Sequence, residues 1–152
     1  MNLRVRQATL ADCEALAALF DGYRQFYGQP SNLLRARDFL SERLERDEAT
    51  VFIAEADGTA VGFALLYPMF SSVQTARIYI LNDLFVAPNA RQHGAGRALL
   101  AACEAFGRDA GAYALQLETQ RTNTVAQALY TEQGWEVDDE FCTYHLNLRE
   151  RG

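Results

Sequence analysis

The sequence predicts one α/β domain, a mixed β-sheet with helices on its faces, and four observations predict it. The chain is 152 residues long, the size of one ordinary domain. With 49% hydrophobic and 11% aromatic residues it has enough apolar material for a full core. Along the chain the hydrophobic period switches repeatedly between two and about 3.6 residues, so strands and helices alternate. Finally, a long apolar run, Ala76 to Val86, passes through a loop with two glycines directly into a helical pattern. The implied order is βααβββαβαβ, with residues 1–148 as the domain and 149–152 as a tail.

Leu3 to Arg6 alternates like a half-buried strand, and Thr9-Leu10-Ala11-Asp12 fits a capping box that opens a helix. The apolar stripe of that helix is Leu16, Leu19, Phe20, Tyr23, Phe26 and Tyr27, all expected in the core, until Gly28 and Pro30 intervene. Ser31 offers a cap for a charged second helix over 34–46. Val51 to Ala54 and Val61 to Tyr67 flank Asp57-Gly58 as a hairpin, with Pro68 ending the second strand and Pro88 ending the third, Ala76 to Val86. Gly96 to Arg108 is helical, Tyr113 to Glu118 a short strand and Thr122 to Gln133 a helix closed by Gly134, with a short strand as an option at Trp135 to Val137. Phe141 to Leu148 alternates as a last strand.

Charge narrows the partners. Lys and Arg number 14 against 20 Asp and Glu, a net charge of −6, so a basic stripe along a phosphate backbone is not expected and nucleic acid is a poor partner. The three cysteines, Cys13, Cys103 and Cys142, are widely spaced and read as buried thiols, and no metal site is implied. No apolar run is long enough for a membrane span, and the N-terminal residues lack the pattern of a signal peptide, so no membrane association and a cytoplasmic location are expected.

The chemistry is concentrated in Asn82 to Leu100. A strand that enters a helix through Gly94 and Gly96 gathers backbone N–H groups and a positive dipole end at one point, which suits a phosphate. A tight turn without a ligand is the alternative. A dinucleotide fingerprint fails, because the loop lies past the middle of the chain and Leu99 stands where a third glycine belongs. A Walker loop fails for want of Gly-Lys-Ser or Gly-Lys-Thr.

Arg91-Gln92-His93-Gly94-Ala95-Gly96 resembles the Q/R-x-x-G-x-G/A acetyl-CoA loop of the GCN5-related N-acetyltransferases. Asn123, Ala126 and Tyr130 with Gly134-Trp135 resemble that family's N-x-x-A-x-x-x-Y helix and its sequel, and Val5 to Asp12 is similar to the family's opening. The resemblance spans nearly the whole chain. Tyr79 to Val86 and Gly62 to Tyr67 are most similar to the branch of diamine acetyltransferases and yeast histone and polyamine acetyltransferases.

The resemblance implies a splayed central strand pair, acetyl-CoA as co-substrate and transfer to a primary amine. It places Leu84, Phe85 and Val86 along the pantetheine arm, and Gln92, His93, Gly94, Ala95, Gly96 and Arg97 around the pyrophosphate. Asn123 would bond near the thioester and Tyr130 would face the sulfur. In such a reaction the amine must lose a proton and the leaving thiolate must gain one. A free alkylamine has a pKa of about 10, so its proton is the harder problem. Asp83 is the candidate base, with a structural hydrogen-bonding role as its alternative. His93 and His145 read as a solvated and a satisfied residue, and Trp135 as core. The acidic run Glu132 to Glu140 would favour a cationic acceptor, whether a small amine such as a polyamine, a lysine side chain or a basic peptide. Family members are often homodimers, though no apolar stripe assigns an interface. A silent acyl-CoA-binding module and a protein-binding adapter are the rival functions.

Overall fold

The structure is a computed structural model that describes residues 2–149. Its strands are β1 (Leu3–Gln7), β2 (Thr50–Ala56), β3 (Thr59–Ser71), β4 (Ala76–Val86) and β5 (Leu115–Gln116). Its helices are α1 (Cys13–Phe26), α2 (Leu33–Glu45), α3 (Ala95–Asp109) and α4 (Thr124–Glu132), with short 3₁₀ turns at Leu10–Asp12 and Pro88–Ala90. The chain up to Thr119 forms one compact unit and the chain from Gln120 onward another.

In the first unit the sheet order is β1-β2-β3-β4-β5, antiparallel except for the parallel β4–β5 pair. Alternation sorts the side chains by face. Val51 and Ile53 of β2 and Phe63 and Leu65 of β3 join Leu16 and Phe20 of α1 and Leu40 of α2 in a buried cluster. Phe52, one residue out of phase, instead meets Phe106 of α3 with ring centroids 5.9 Å apart. Buried Leu99, Leu100 and Cys103 lie on the same helix as Phe106. Burial holds the Cys103 thiol up at about 12, which keeps it inert.

Local chemistry fixes the helix ends. The Thr9 N–H donates to Asp12 Oδ2 at 2.8 Å, and Arg6 Nη2 lies 2.8 Å from Asp12 Oδ1; the guanidinium holds the Asp12 carboxyl down at about 2. The cap of α2 is Asn32 rather than Ser31, its side chain accepting from the Arg35 N–H at 3.0 Å. Ser31 is used differently. Its hydroxyl donates to buried Asp21 at 2.7 Å, and the Asn32 N–H donates to the same carboxylate at 2.7 Å, so the second half of α1 anchors the start of α2. These bonds, the Ser31 hydroxyl first, hold Asp21 below its ordinary range.

Six further expectations are corrected. Pro68 does not end its strand, because β3 continues to Ser71 against β4 after its pairing with β2 stops at Leu66, and a strand paired on one side tolerates a missing N–H. The strand expected over 113–118 contracts to Leu115–Gln116. Neither 135–137 nor 141–148 is a strand: alternation supplies a face but not a partner backbone, and none of the described strands pairs with them, so Phe141, Tyr144, Leu146 and Leu148 are exposed. Cys142 in that segment is exposed, unlike Cys13 and Cys103. Phe26 and Tyr27 at the end of α1 are also exposed rather than core, since the stripe outruns the sheet it packs on. Of the expected tail, residues 150–152 lie outside the described residues.

Candidate active site

A β-bulge shapes the centre of β4. Leu65 pairs with Asp83 and the next residue, Leu66, pairs with Leu81, which leaves Asn82 as the extra residue. One inserted residue moves everything beyond it to the other face. Tyr79 accordingly packs on Phe106 of α3, with centroids 4.9 Å apart, whereas Phe85 packs on Tyr23 of α1 at 6.2 Å. Asp83 travels with Phe85. Without the bulge its carboxylate would share a face with Tyr79.

Asp83 is 3% exposed and one of two buried carboxylates, with Asp21, among the described residues. Asn82 Nδ2 donates to its Oδ1 at 2.9 Å. The Tyr23 hydroxyl donates to the Asn82 main-chain oxygen at 3.3 Å and lies beside the Asp83 carboxylate. Burial pushes the Asp83 carboxyl up, and the bonds from Tyr23 and Asn82 oppose that rise. Burial and the Asp83 charge raise the Tyr23 phenol, and for the same two reasons the Tyr67 phenol lies at about 12. Asp83 is therefore a desolvated carboxylate whose charge acts on two neutral phenols, a setting suited to accepting a proton.

Beyond Ile80, none of the described strands pairs with β4 on its β5 side, because β5 pairs only with Tyr79 and Ile80. This is the expected splay, and Leu84, Phe85 and Val86 lie on the splayed stretch. The Val86 carbonyl already accepts from Arg91 Nε at 2.9 Å, and the Arg91 guanidinium lies over Phe85 and Phe26, 5.7 and 5.9 Å from their centroids. Arg91 thereby ties the following loop back to the strand.

That loop has the conformation of an anion cradle. Gln92 and Gly94 both take positive φ, +67° and +88°, and Gly94 caps α3. A Cβ at Gly94 would meet nothing nearer than Leu3 Cδ1 at 3.9 Å, so the space is open and the constraint on this residue is its backbone conformation. Ala95 and Gly96 follow in the first turn of α3, whose N–H groups have no partner within the helix. His93 is exposed in the loop. Backbone donors, a dipole end and small residues suit the phosphates of a nucleotide-bearing cofactor.

In the second unit Asn123 caps α4, its Oδ1 accepting from the Ala126 N–H at 3.2 Å, which leaves the amide NH₂ as the group it can offer a ligand. Tyr130 lies in the last turn. The Gly134 N–H donates to Thr131 O and the Trp135 N–H to Tyr130 O, at 3.1 and 3.0 Å, with Gly134 at φ +94°: a Schellman closure. The Trp135 ring sits 6.1 Å from that of Tyr130. The Gly-Trp pair behind the helix thus braces the tyrosine. His145 is exposed, and among the described residues no group of His, Cys, Asp and Glu is arranged to hold a metal ion.

Reading the sequence alone missed the bulge and the two tyrosines beside Asp83. The available signal was Asn82-Asp83 itself, two polar residues interrupting an apolar strand and breaking its alternation.

Comparison with known proteins agrees with the geometry. The acetyltransferase (GNAT) family model matches residues 16–135. The chain is 48% identical over 146 residues to an uncharacterized N-acetyltransferase of Bacillus subtilis, YhfO, covering 96% of this chain and 98% of that protein. A crystal structure of a probable acetyltransferase superposes with a TM-score of 0.91 at 39% identity, covering 97% and 99% of the two chains. The aminoglycoside N-acetyltransferase AAC(6')-Iy, solved in complex with CoA, superposes with a TM-score of 0.78 at 26% identity, covering 95% of each chain. The chain belongs to the GNAT family and is an acetyl-CoA-dependent N-acetyltransferase.

Proposed function

We propose that this enzyme, with residues 1–148 as its catalytic domain, acetylates a primary amine carrying positive charge, by direct attack of the amine on the acetyl group. The observation that carries the reading is the buried Asp83 carboxylate, turned by the bulge at Asn82 toward Tyr23. Acetyl-CoA supplies the activated acetyl group. Asp83 takes the proton from the amine nitrogen, and Tyr130 gives one to the departing sulfur. The backbone of Leu84 to Val86 and the side chain of Asn123 hold the pantetheine arm, and Gln92 to Arg97 hold the pyrophosphate.

The positive charge of the acceptor is supported by the net charge of −6, the exposed acidic run over 136–140 and the aromatic rings of Tyr23 and Tyr27. AAC(6')-Iy is named for aminoglycosides, which are themselves polyamines. A thiol-release assay across polyamines, amino acids, aminoglycosides and lysine-rich peptides tests the reading. Cationic amines are the best substrates and their rates fall as salt rises. A neutral amine as best substrate, with rates indifferent to salt, overturns it. The same reading includes a cytoplasmic location and a homodimer, following the habit of the family. No helix among the described residues is long and apolar enough to cross a membrane.

The cofactor loop has its own test. A ligand that binds only the native state adds RT ln(1 + [L]/Kd), about 2.7 kcal/mol at a hundredfold excess over Kd, so CoA raises the melting temperature. Substitution of Gly94 is strained at φ +88°, which makes Gly96 the cleaner probe. Gly96→Asp puts a carboxylate in the first turn of α3, where it favours the free helix by about 0.3–1 kcal/mol and repels a pyrophosphate. The variant melts at or above the wild-type temperature without CoA and shows no CoA shift. An undiminished shift means that the phosphates bind elsewhere.

A further inference from the structure

One hydroxyl connects α1 to the bulge of β4. The ring of Tyr23 stands edge-on to Phe63 and Phe85, with centroids at 5.9 and 6.2 Å and interplanar angles of 79° and 77°, and Tyr27 crosses it at 5.1 Å. Such packing holds the ring in one orientation. Its hydroxyl donates to the Asn82 main-chain oxygen at 3.3 Å and lies beside the Asp83 carboxylate, whose charged form it favours. The carbonyl of a bulge residue lies outside the regular ladder and needs a donor from elsewhere. We propose that Tyr23 is a positioning residue for proton transfer, holding the bulge carbonyl next to Asp83 so that one carboxylate oxygen is kept turned toward the acceptor amine. This inference rests on Asp83 as the base and adds the residue through which α1 holds it.

The surroundings leave this bridge few competitors. Tyr23, with Tyr27 beside it, approaches Asp83 from α1, Tyr67 of β3 feels its charge, and Asn82 Nδ2 donates from β4 itself. Arg43 of α2 and Glu48 act on Tyr67, in opposite directions. Tyr23 and Tyr67 stay protonated at neutral pH, so Asp83 is the acidic group of this set beside the bridge. The Tyr23 bond favours the charged carboxylate, and its removal lets burial push the carboxyl higher still.

Tyr23→Phe keeps the ring and removes the donor. A hydrogen bond to a charged group is typically worth enough to expect kcat to fall about tenfold or more. The acid limb of kcat/KM moves to higher pH, because a carboxyl with a raised pKa needs a higher pH to become a base. Acetyl-CoA affinity stays the same. Asp83→Asn, measured in parallel, separates the two ideas. If Asp83→Asn is inactive while Tyr23→Phe keeps the wild-type rate and acid limb, the role of Tyr23 is lost and the base stands. If Asp83→Asn is fully active, both fall. Should Tyr23→Phe not fold, 4-fluorophenylalanine introduced in place of Tyr23 fills the volume of the hydroxyl without donating, and the same shift in the acid limb is expected.

Discussion

Asp83→Asn lowers kcat by about 10² to 10⁴, the usual worth of a positioned general base, while the melting temperature holds or rises. The two halves of this expectation come from one observation. Burial disfavours the charged form of Asp83, and the group remains useful because Tyr23 and Asn82 partly compensate. An asparagine of the same shape removes the buried charge and keeps an amide oxygen for Asn82 Nδ2. The fold is relieved while the chemistry is lost. The pH profile carries the sign. In the wild type, kcat/KM falls as pH drops through the raised pKa of Asp83, because a protonated carboxyl cannot accept a proton. In Asp83→Asn that limb disappears and only the titration of the amine remains. A near-normal rate with the acid limb intact would return Asp83 to a structural role, holding the bulge in place.

The legible part of this protein was what local chemistry determines. The glycine loop could be read because Gly94 needs its φ of +88°, and the Gly134-Trp135 pair because a Schellman closure needs a glycine followed by an apolar residue. The order of elements from β1 to α4 followed from period together with caps, turns and prolines. What stayed hidden depended on pairing. Strict alternation would put Asp83 and Tyr79 on one face, and only the register between Leu65-Leu66 and Leu81-Asp83 reveals that they are on opposite ones. Tyr23 looked like one more member of an apolar stripe because its hydroxyl has a purpose only once β4 is in place. For the same reason the alternation of 141–148 promised a strand, although none of the described strands pairs with it. Ser31 and Asn32, adjacent and both good caps, could be told apart only by Asp21, ten and eleven residues earlier in the sequence.

Tyr130→Phe lowers kcat by about 10² to 10⁴ as well, but its signature differs from that of Asp83→Asn. Under the proposed function the hydroxyl serves the end of the reaction, when sulfur leaves. A tyrosine phenol is protonated at neutral pH and a thiol has a pKa of about 8.5, so the donor is available when the thiolate forms. Phenylalanine keeps the ring that packs 6.1 Å from Trp135 and leaves the Schellman closure untouched, since that closure uses the main-chain oxygen of residue 130. Melting temperature and CoA affinity should therefore change little. The deficit should also depend on the leaving group: a thioester whose thiol has a lower pKa needs less help, so with it the gap between variant and wild type narrows, whereas for Asp83→Asn it does not. Full turnover of acetyl-CoA by Tyr130→Phe, under conditions where chemistry limits the rate, would leave Tyr130 as the packing partner of Trp135, with the sulfur taking its proton from water.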